Sequence, residues 1–212
     1  MKKFDSSLYF ITDSTGYTEA EFLRRVEQGL RGGATLLQLR EKDRTTREYL
    51  DLAGKVHAIA RRYDVPLIID DRVDVALAAG AEGVHLGQTD MPVSMARRLM
   101  GDDKIIGATT KTVPQALEAY EQGADYLGVG AIYPTTTKVI TILTSVDTLR
   151  EICQAVPVPV NAIGGLNRGN IDVLEGVPVA GICAVSAIMK AEDPARAAAE
   201  LKARAAELGI GR

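Results

Sequence analysis

Apolar residues fall along this chain in eight short runs: LYFIT (8–12), TLLQL (35–39), PLIID (66–70), GVHLG (83–87), KIIGA (104–108), DYLGVGAIY (125–133), PVNAIGG (159–165) and GICAVSAI (181–188). Short runs this continuous read as strands buried on both faces. The stretches between them follow a helical period instead. From Thr45 to Tyr63, the residues Tyr49, Leu52, Val56, Ile59 and Tyr63 recur every three or four positions along one face. Thr45 with Glu48 has capping-box spacing. The same start signal stands at Thr18 with Glu21 and at Thr112 with Gln115, and Asp193 followed by Pro194 opens the last helix.

Three helix ends echo one another, in GGATLLQL, AGAEGVHLG and QGADYLGVG. Their glycines Gly33, Gly80 and Gly123 stand two strand–helix units apart and suit the left-handed residue that ends a helix. An eightfold strand–helix alternation with a two-unit echo predicts a (β/α)8 TIM barrel, one domain over residues 1–212. The alternative is an open, doubly wound sheet. Against it, the first strand–helix turn, TDSTGYTEAE, lacks the GxGxxG of a dinucleotide site.

Composition narrows the function. The 212 residues carry a formal net charge of −3, no Trp and no basic run, which argues against nucleic acid or anionic lipid as partner. Cys153 and Cys183 lack any CxxC spacing, so two thiols in a reducing cytosol are expected rather than a disulfide scaffold or zinc site. The opening MKKFDSSLYFITD has too short an apolar run for a signal peptide or membrane span, and a cytoplasmic protein is expected.

In a barrel of this kind the active site lies where the strands end. Here those ends read QLREK, IIDDR, HLGQTD, PTTTK, AIGG and VSAI. Arg40, Lys42 and Lys138 supply cations, and Asp70, Asp71 and Asp90 supply carboxylates. Gly164, Gly165 and Ser186 stand where backbone amides would receive a phosphate. Hard oxygen ligands beside cations suit Mg²⁺ and a diphosphate. Each element also has a plainer reading: Arg40, Glu41 and Lys42 as a solvated strand end, Asp70, Asp71 and Asp90 as caps of the helices that follow, and Thr135, Thr136 and Thr137 as a turn. His85 reads as a hydrogen-bonded barrel residue rather than a metal ligand. Coincidence of so many groups at successive strand ends favours one site.

QLREK (38–42), DDR (70–72), GVHLGQTD (83–90), GADYLGVGAIYPTTTK (123–138), NAIGG (161–165) and VSAI (185–188), in that order and spacing, resemble the thiamine phosphate synthase family from Leu8 to about Leu201. The resemblance implies Mg²⁺-dependent transfer of a hydroxymethylpyrimidine group from its diphosphate to a hydroxyethylthiazole phosphate, with pyrophosphate released. Carried over position by position, it implies that Gln38, Leu39, Arg40, Glu41, Lys42 and Lys138 meet the pyrimidine diphosphate. Asp71 and Asp90 become the Mg²⁺ ligands, and Thr135, Thr136, Thr137, Gly165, Val185 and Ser186 meet the thiazole phosphate. Arg40, Lys42 and Lys138 are the groups expected to stabilise the leaving group. Three departures stand out. Asp70 replaces an asparagine beside the diphosphate. In GATTKT, Thr109 keeps a hydroxyl that the family places on substrate while Lys111 replaces a histidine, and VITILTSVD replaces a loop with proline and glycine. A thiazole tautomerase-like paralogue or a non-catalytic phosphate-binding barrel are the alternatives, the first of which is expected to lack the carboxylate at position 90. Self-association into a homo-oligomer stays open.

Overall fold

The computed structural model describes residues 4–134 and 142–211. Its eight strands are β1 (Leu8–Ile11), β2 (Leu36–Leu39), β3 (Leu67–Asp70), β4 (Gly83–Leu86), β5 (Ile105–Thr110), β6 (Tyr126–Gly130), β7 (Val160–Ile163) and β8 (Gly181–Ala184). All neighbours pair in parallel, and β8 returns to β1, so the sheet closes into a barrel in chain order. The helices are α1 (Glu19–Arg31), α2 (Thr46–Arg62), α3 (Val73–Ala78), α4 (Val93–Met100), α5 (Val113–Glu121), α6 (Val146–Ala155), α7 (Ser186–Met189) and α8 (Pro194–Glu207). This is the (β/α)8 barrel that the alternation predicts.

The helix starts follow the sequence. Thr18, Thr45 and Thr112 each accept a hydrogen bond from the backbone amide three residues on, and Thr45 with Glu48 closes a full capping box. Asp193 accepts from the amides of Ala195 and Arg196 ahead of α8. Gly33, Gly80 and Gly123 all take positive φ just past helix ends, as the repeated glycine requires. Three predicted strands end well before their apolar runs do. β6 ends at Gly130, β7 stops at Ile163, ahead of Gly164 and Gly165, and β8 ends at Ala184 because Ser186–Met189 turns into helix. Between β7 and β8 the crossover contains only a 3₁₀ turn, Ile171–Leu174, in a stretch without helical periodicity.

Alternation along each strand divides two apolar clusters. Leu37, Leu39, Ile69, Val84 and Leu86 point outward among helix residues such as Tyr49, Leu52 and Val56. Tyr9, Leu36, Ile68, Ile105, Tyr126 and Cys183 fill the barrel interior, with Phe4 packed against them edge-on to the Tyr126 ring at 5.6 Å. Cys153 and Cys183 are free thiols, Cys183 buried. No described helix is long and apolar enough to cross a membrane.

Candidate active site

Above the interior cluster, the inward positions nearest the strand ends change from apolar to polar. Gln38 on β2, Asp70 on β3 and His85 on β4 are all buried, and Asp70 and His85 stand side by side in register. A carboxylate in such a place needs counter-charge. Lys42 Nζ supplies it, 2.7 Å from Asp70 Oδ2 and hydrogen-bonded also to Asp71 Oδ2, while Arg40 Nε lies 3.8 Å from Asp70 Oδ2. QLREK and IIDDR are thus joined in space, and the substituted Asp70 faces the cations.

Asp71 follows β3 with φ +62, a left-handed conformation that aspartate tolerates better than most residues, and its amide donates to the carbonyl of His85 (2.8 Å). The Asp90 carboxyl comes into contact with that of Asp71, and its Oδ2 accepts from the Gly87 amide at 2.7 Å. Neither residue caps a helix. The residue before α3 is Arg72 and that before α4 is Pro92, and neither offers a side-chain cap. The plainer reading of these carboxylates therefore fails on geometry.

The electrostatics follow from burial and proximity. Burial first, and then the charge of Asp71, raise the Asp70 carboxyl to about 6 against the pull of Lys42. The Asp90 carboxyl is raised for the same two reasons, burial ahead of Asp71. Burial works against the Lys42 ammonium, but Asp70 and Asp71 outweigh it and raise its pKa. Carboxylates crowded at one place are a ready receptor for a cation. Asp71 and Asp90 offer oxygen donors only, and no group of three His, Cys, Asp or Glu side chains among the described residues is arranged to hold a metal. Such a donor set fits Mg²⁺, which takes one or two carboxylates and completes its shell with water and phosphate, better than zinc.

On the opposite side of the mouth, Gly164 and Gly165 both take positive φ. A Cβ on Gly165 would stand 2.7 Å from that of Tyr133 and 2.9 Å from the Pro134 carbonyl oxygen, so only glycine lets the β6 loop pass so close. Val185 and Ser186 follow β8 directly, with Ser186 opening α7. Gly165, Val185 and Ser186 thus follow the ends of the paired strands β7 and β8. Thr135, Thr136, Thr137 and Lys138 lie outside the described residues, as do residues 139–141.

Two predicted contacts are not brought to the mouth by their side chains. Leu39 is wholly buried in the outward cluster, where its carbonyl accepts from the Tyr49 hydroxyl at 2.8 Å. Glu41 turns away from its charged neighbours, and its Oε2 accepts from Ser14 Oγ (2.8 Å) and Arg44 Nε (2.9 Å). Only the backbone of Leu39 remains to meet a ligand, whereas Glu41 keeps one carboxylate oxygen, Oε1, buried without a hydrogen-bond partner among the described residues. Lys111 bridges two carbonyls, of Gly130 at 2.7 Å and Ile142 at 2.9 Å. It therefore ties the end of β6 to the chain beyond residue 141. Sequence reasoning missed Thr12, whose hydroxyl accepts from the Arg40 amide (3.2 Å), and the phenols of Tyr9 and Tyr126. The available signal was a pair of tyrosines inside otherwise apolar runs, since a buried phenol needs a partner.

Comparison with known proteins bears on the family. A family model described as thiamine monophosphate synthase matches residues 8–188. A Streptococcus pneumoniae protein named thiamine-phosphate synthase 2 is 52% identical over 186 residues, covering 88% of this chain and 89% of its own. The thiamine-phosphate synthase of Enterococcus faecalis is 51% identical, covering 87% of each chain. Among solved structures, a thiamine phosphate pyrophosphorylase from Pyrococcus furiosus superposes with a TM-score of 0.87 at 40% identity over 96% of both chains. Barrel, strand-end motifs and relatives of nearly full length converge, and the chain belongs to the thiamine monophosphate synthase family of transferases.

Proposed function

We propose that this chain condenses a hydroxymethylpyrimidine diphosphate with a hydroxyethylthiazole phosphate to give thiamine phosphate and pyrophosphate, with Mg²⁺ held by Asp71 and Asp90. The observation that carries the reading is the meeting of Asp71 and Asp90 on one barrel rim, with Lys42 hydrogen-bonded to Asp71 and Arg40 facing the neighbouring Asp70. As the bond from the pyrimidine methylene carbon to the diphosphate oxygen breaks, its electron pair leaves with the pyrophosphate. Arg40 and Lys42, and by resemblance Lys138, stabilise that growing charge more than they stabilise the intact ester, which is how they accelerate the step. When bound, Mg²⁺ adds Lewis-acid neutralisation of the same oxygens. The methylene carbon, left cationic, is taken by the thiazole nitrogen, which carries no proton and so needs no general base. Gly165, Val185 and Ser186 hold the thiazole phosphate by their position at the ends of β7 and β8.

Incubation with both precursors and Mg²⁺ tests the reading, with thiamine phosphate detected by mass and pyrophosphate released in equal amount. Formation of neither product at any Mg²⁺ concentration would defeat it. A tautomerised thiazole phosphate without condensation would identify the paralogous activity instead.

A further inference from the structure

Five side chains from five strands form one unbroken hydrogen-bonded line through the barrel interior. Gln38 Nε2 on β2 donates to the Tyr9 hydroxyl on β1 at 2.6 Å, and that hydroxyl lies 2.7 Å from the Tyr126 hydroxyl on β6. Tyr126 is 3.0 Å from His85 Nδ1 on β4, and His85 Nε2 is 2.9 Å from Thr109 Oγ1 on β5. The strands make room for it. A Cβ on Gly107 would collide with the Tyr126 phenol and stand 2.5 Å from His85 Nδ1, and one on Gly128 would stand 3.2 Å from His85 Cε1. Both tyrosines are fully buried, and that burial raises their pKa well above the ordinary value, so both remain protonated donors throughout the working range.

Each hydroxyl has one proton to give, and neutral imidazole donates at one nitrogen and accepts at the other. The line therefore has a direction. With the Gln38 amide nitrogen on Tyr9, Tyr9 donates to Tyr126, Tyr126 donates to Nδ1 of His85, and Nε2 carries the proton given to Thr109. A reversal at any one link leaves a buried group without its partner, so the members turn together or not at all. The other amide atom of Gln38, Oε1, lies outside the line, as does the Thr109 hydroxyl proton. The line thus ends in one acceptor, Gln38 Oε1, and one donor, the Thr109 hydroxyl.

We propose that Tyr9, Tyr126 and His85 are positioning residues, which lock the hydrogen-bond sense that Gln38 and Thr109 present to the bound substrate. The role rests on the condensation proposed above, whereas the locking itself concerns the protein alone. It is tested first without substrate, from the imidazole ¹⁵N shifts of His85 in uniformly labelled protein. The native chain is expected to show a single neutral tautomer protonated at Nε2. Gln38→Met, three hydrogen bonds along the line from His85, removes the donor that sets the direction, and both tautomers are expected to appear. Tyr9→Phe keeps the core volume and gives the same expectation should the first variant fail to fold. A native Nδ1-protonated ring, or a ring unaltered in whichever variant folds, overturns the locking.

Kinetics then test its purpose. Tyr126→Phe is expected to lower kcat/KM for the pyrimidine diphosphate about tenfold, the worth of one buried hydrogen bond, with KM for thiazole phosphate unchanged. General loosening of the barrel would raise both KM values together, and that result, or unchanged kinetics, overturns the positioning role. A native chain that locks His85 but condenses nothing would refute the proposed reaction and leave the lock standing.

Discussion

The outward and inward faces of the same strands obey different rules. Outward, Leu37, Leu39, Ile69 and Val84 meet helices and are interchangeable in kind: each is apolar, surrounded and one of many. Inward, Gln38, Asp70 and His85 sit one residue away from those apolar positions, and each is held by a specific polar partner: Tyr9, Lys42 and Tyr126. Strand geometry sends adjacent side chains to opposite faces, so a single strand builds both layers at once. The outer layer holds the barrel closed, and the inner layer near the strand ends carries charge and hydrogen-bond sense. Substitutions on the two faces should therefore separate stability from chemistry.

The sharpest test of that separation is Asp90→Ala. Among the described residues its carboxyl meets Asp71 and the Gly87 amide, contacts whose loss costs folding little, while capture of a metal-bound diphosphate would lose one of the two proposed protein ligands. Turnover is expected to fall by about 10²–10³-fold, with the Mg²⁺ dependence shifted to higher concentration. Steady-state rates across a Mg²⁺ titration measure it, and native activity at limiting Mg²⁺ would remove Asp90 from the site.

The converse experiment is Leu37→Ala, on β2 directly beside Gln38. A cavity in the outward layer is expected to cost about 2–5 kcal/mol in denaturant unfolding, with kcat changed less than twofold in the protein that remains folded. A large loss of kcat at normal stability would break the division between the faces.

Asp70→Asn gives the smallest effect and probes the one residue that belongs to both accounts. Burial, ahead of Asp71, raises its carboxyl to about 6. An acid whose folded pKa is raised favours the folded state while protonated. That contribution is complete below its unfolded value and is lost as pH climbs through about 6. The native chain should thus lose stability relative to Asp70→Asn between about pH 4 and about pH 7, read from denaturant midpoints at both. Parallel midpoints would mean that Lys42 holds Asp70 ionised throughout.

Much of the fold was legible because its signals are local. A continuous apolar run marks a strand buried on both faces, a threonine three residues before Glu21, Glu48 or Gln115 marks a helix start, and a glycine after the last turn marks its end. The apolar content of GICAVSAI could not say where β8 stops, since strand and short buried helix both tolerate it. The rim was legible by a weaker route: once the strands are counted, every motif after a strand lies at one end of the barrel.

Sequence by itself thus determined the eight strands, the helix starts, the family pattern and the set of charged groups that share one face. Tertiary structure alone decided which of them touch. That Lys42 lies between Asp70 and Asp71, that Asp90 meets Asp71 rather than capping α4, and that Glu41 turns to Ser14 and Arg44 are facts of closure. So is the line from Gln38 to Thr109, whose tyrosines lie 117 residues apart in the chain and 2.7 Å apart in the barrel. Periodicity fixes the face on which a side chain emerges, but a hydrogen bond requires contact to within a few tenths of an ångström. That distance is set by the register and tilt of strands distant in sequence.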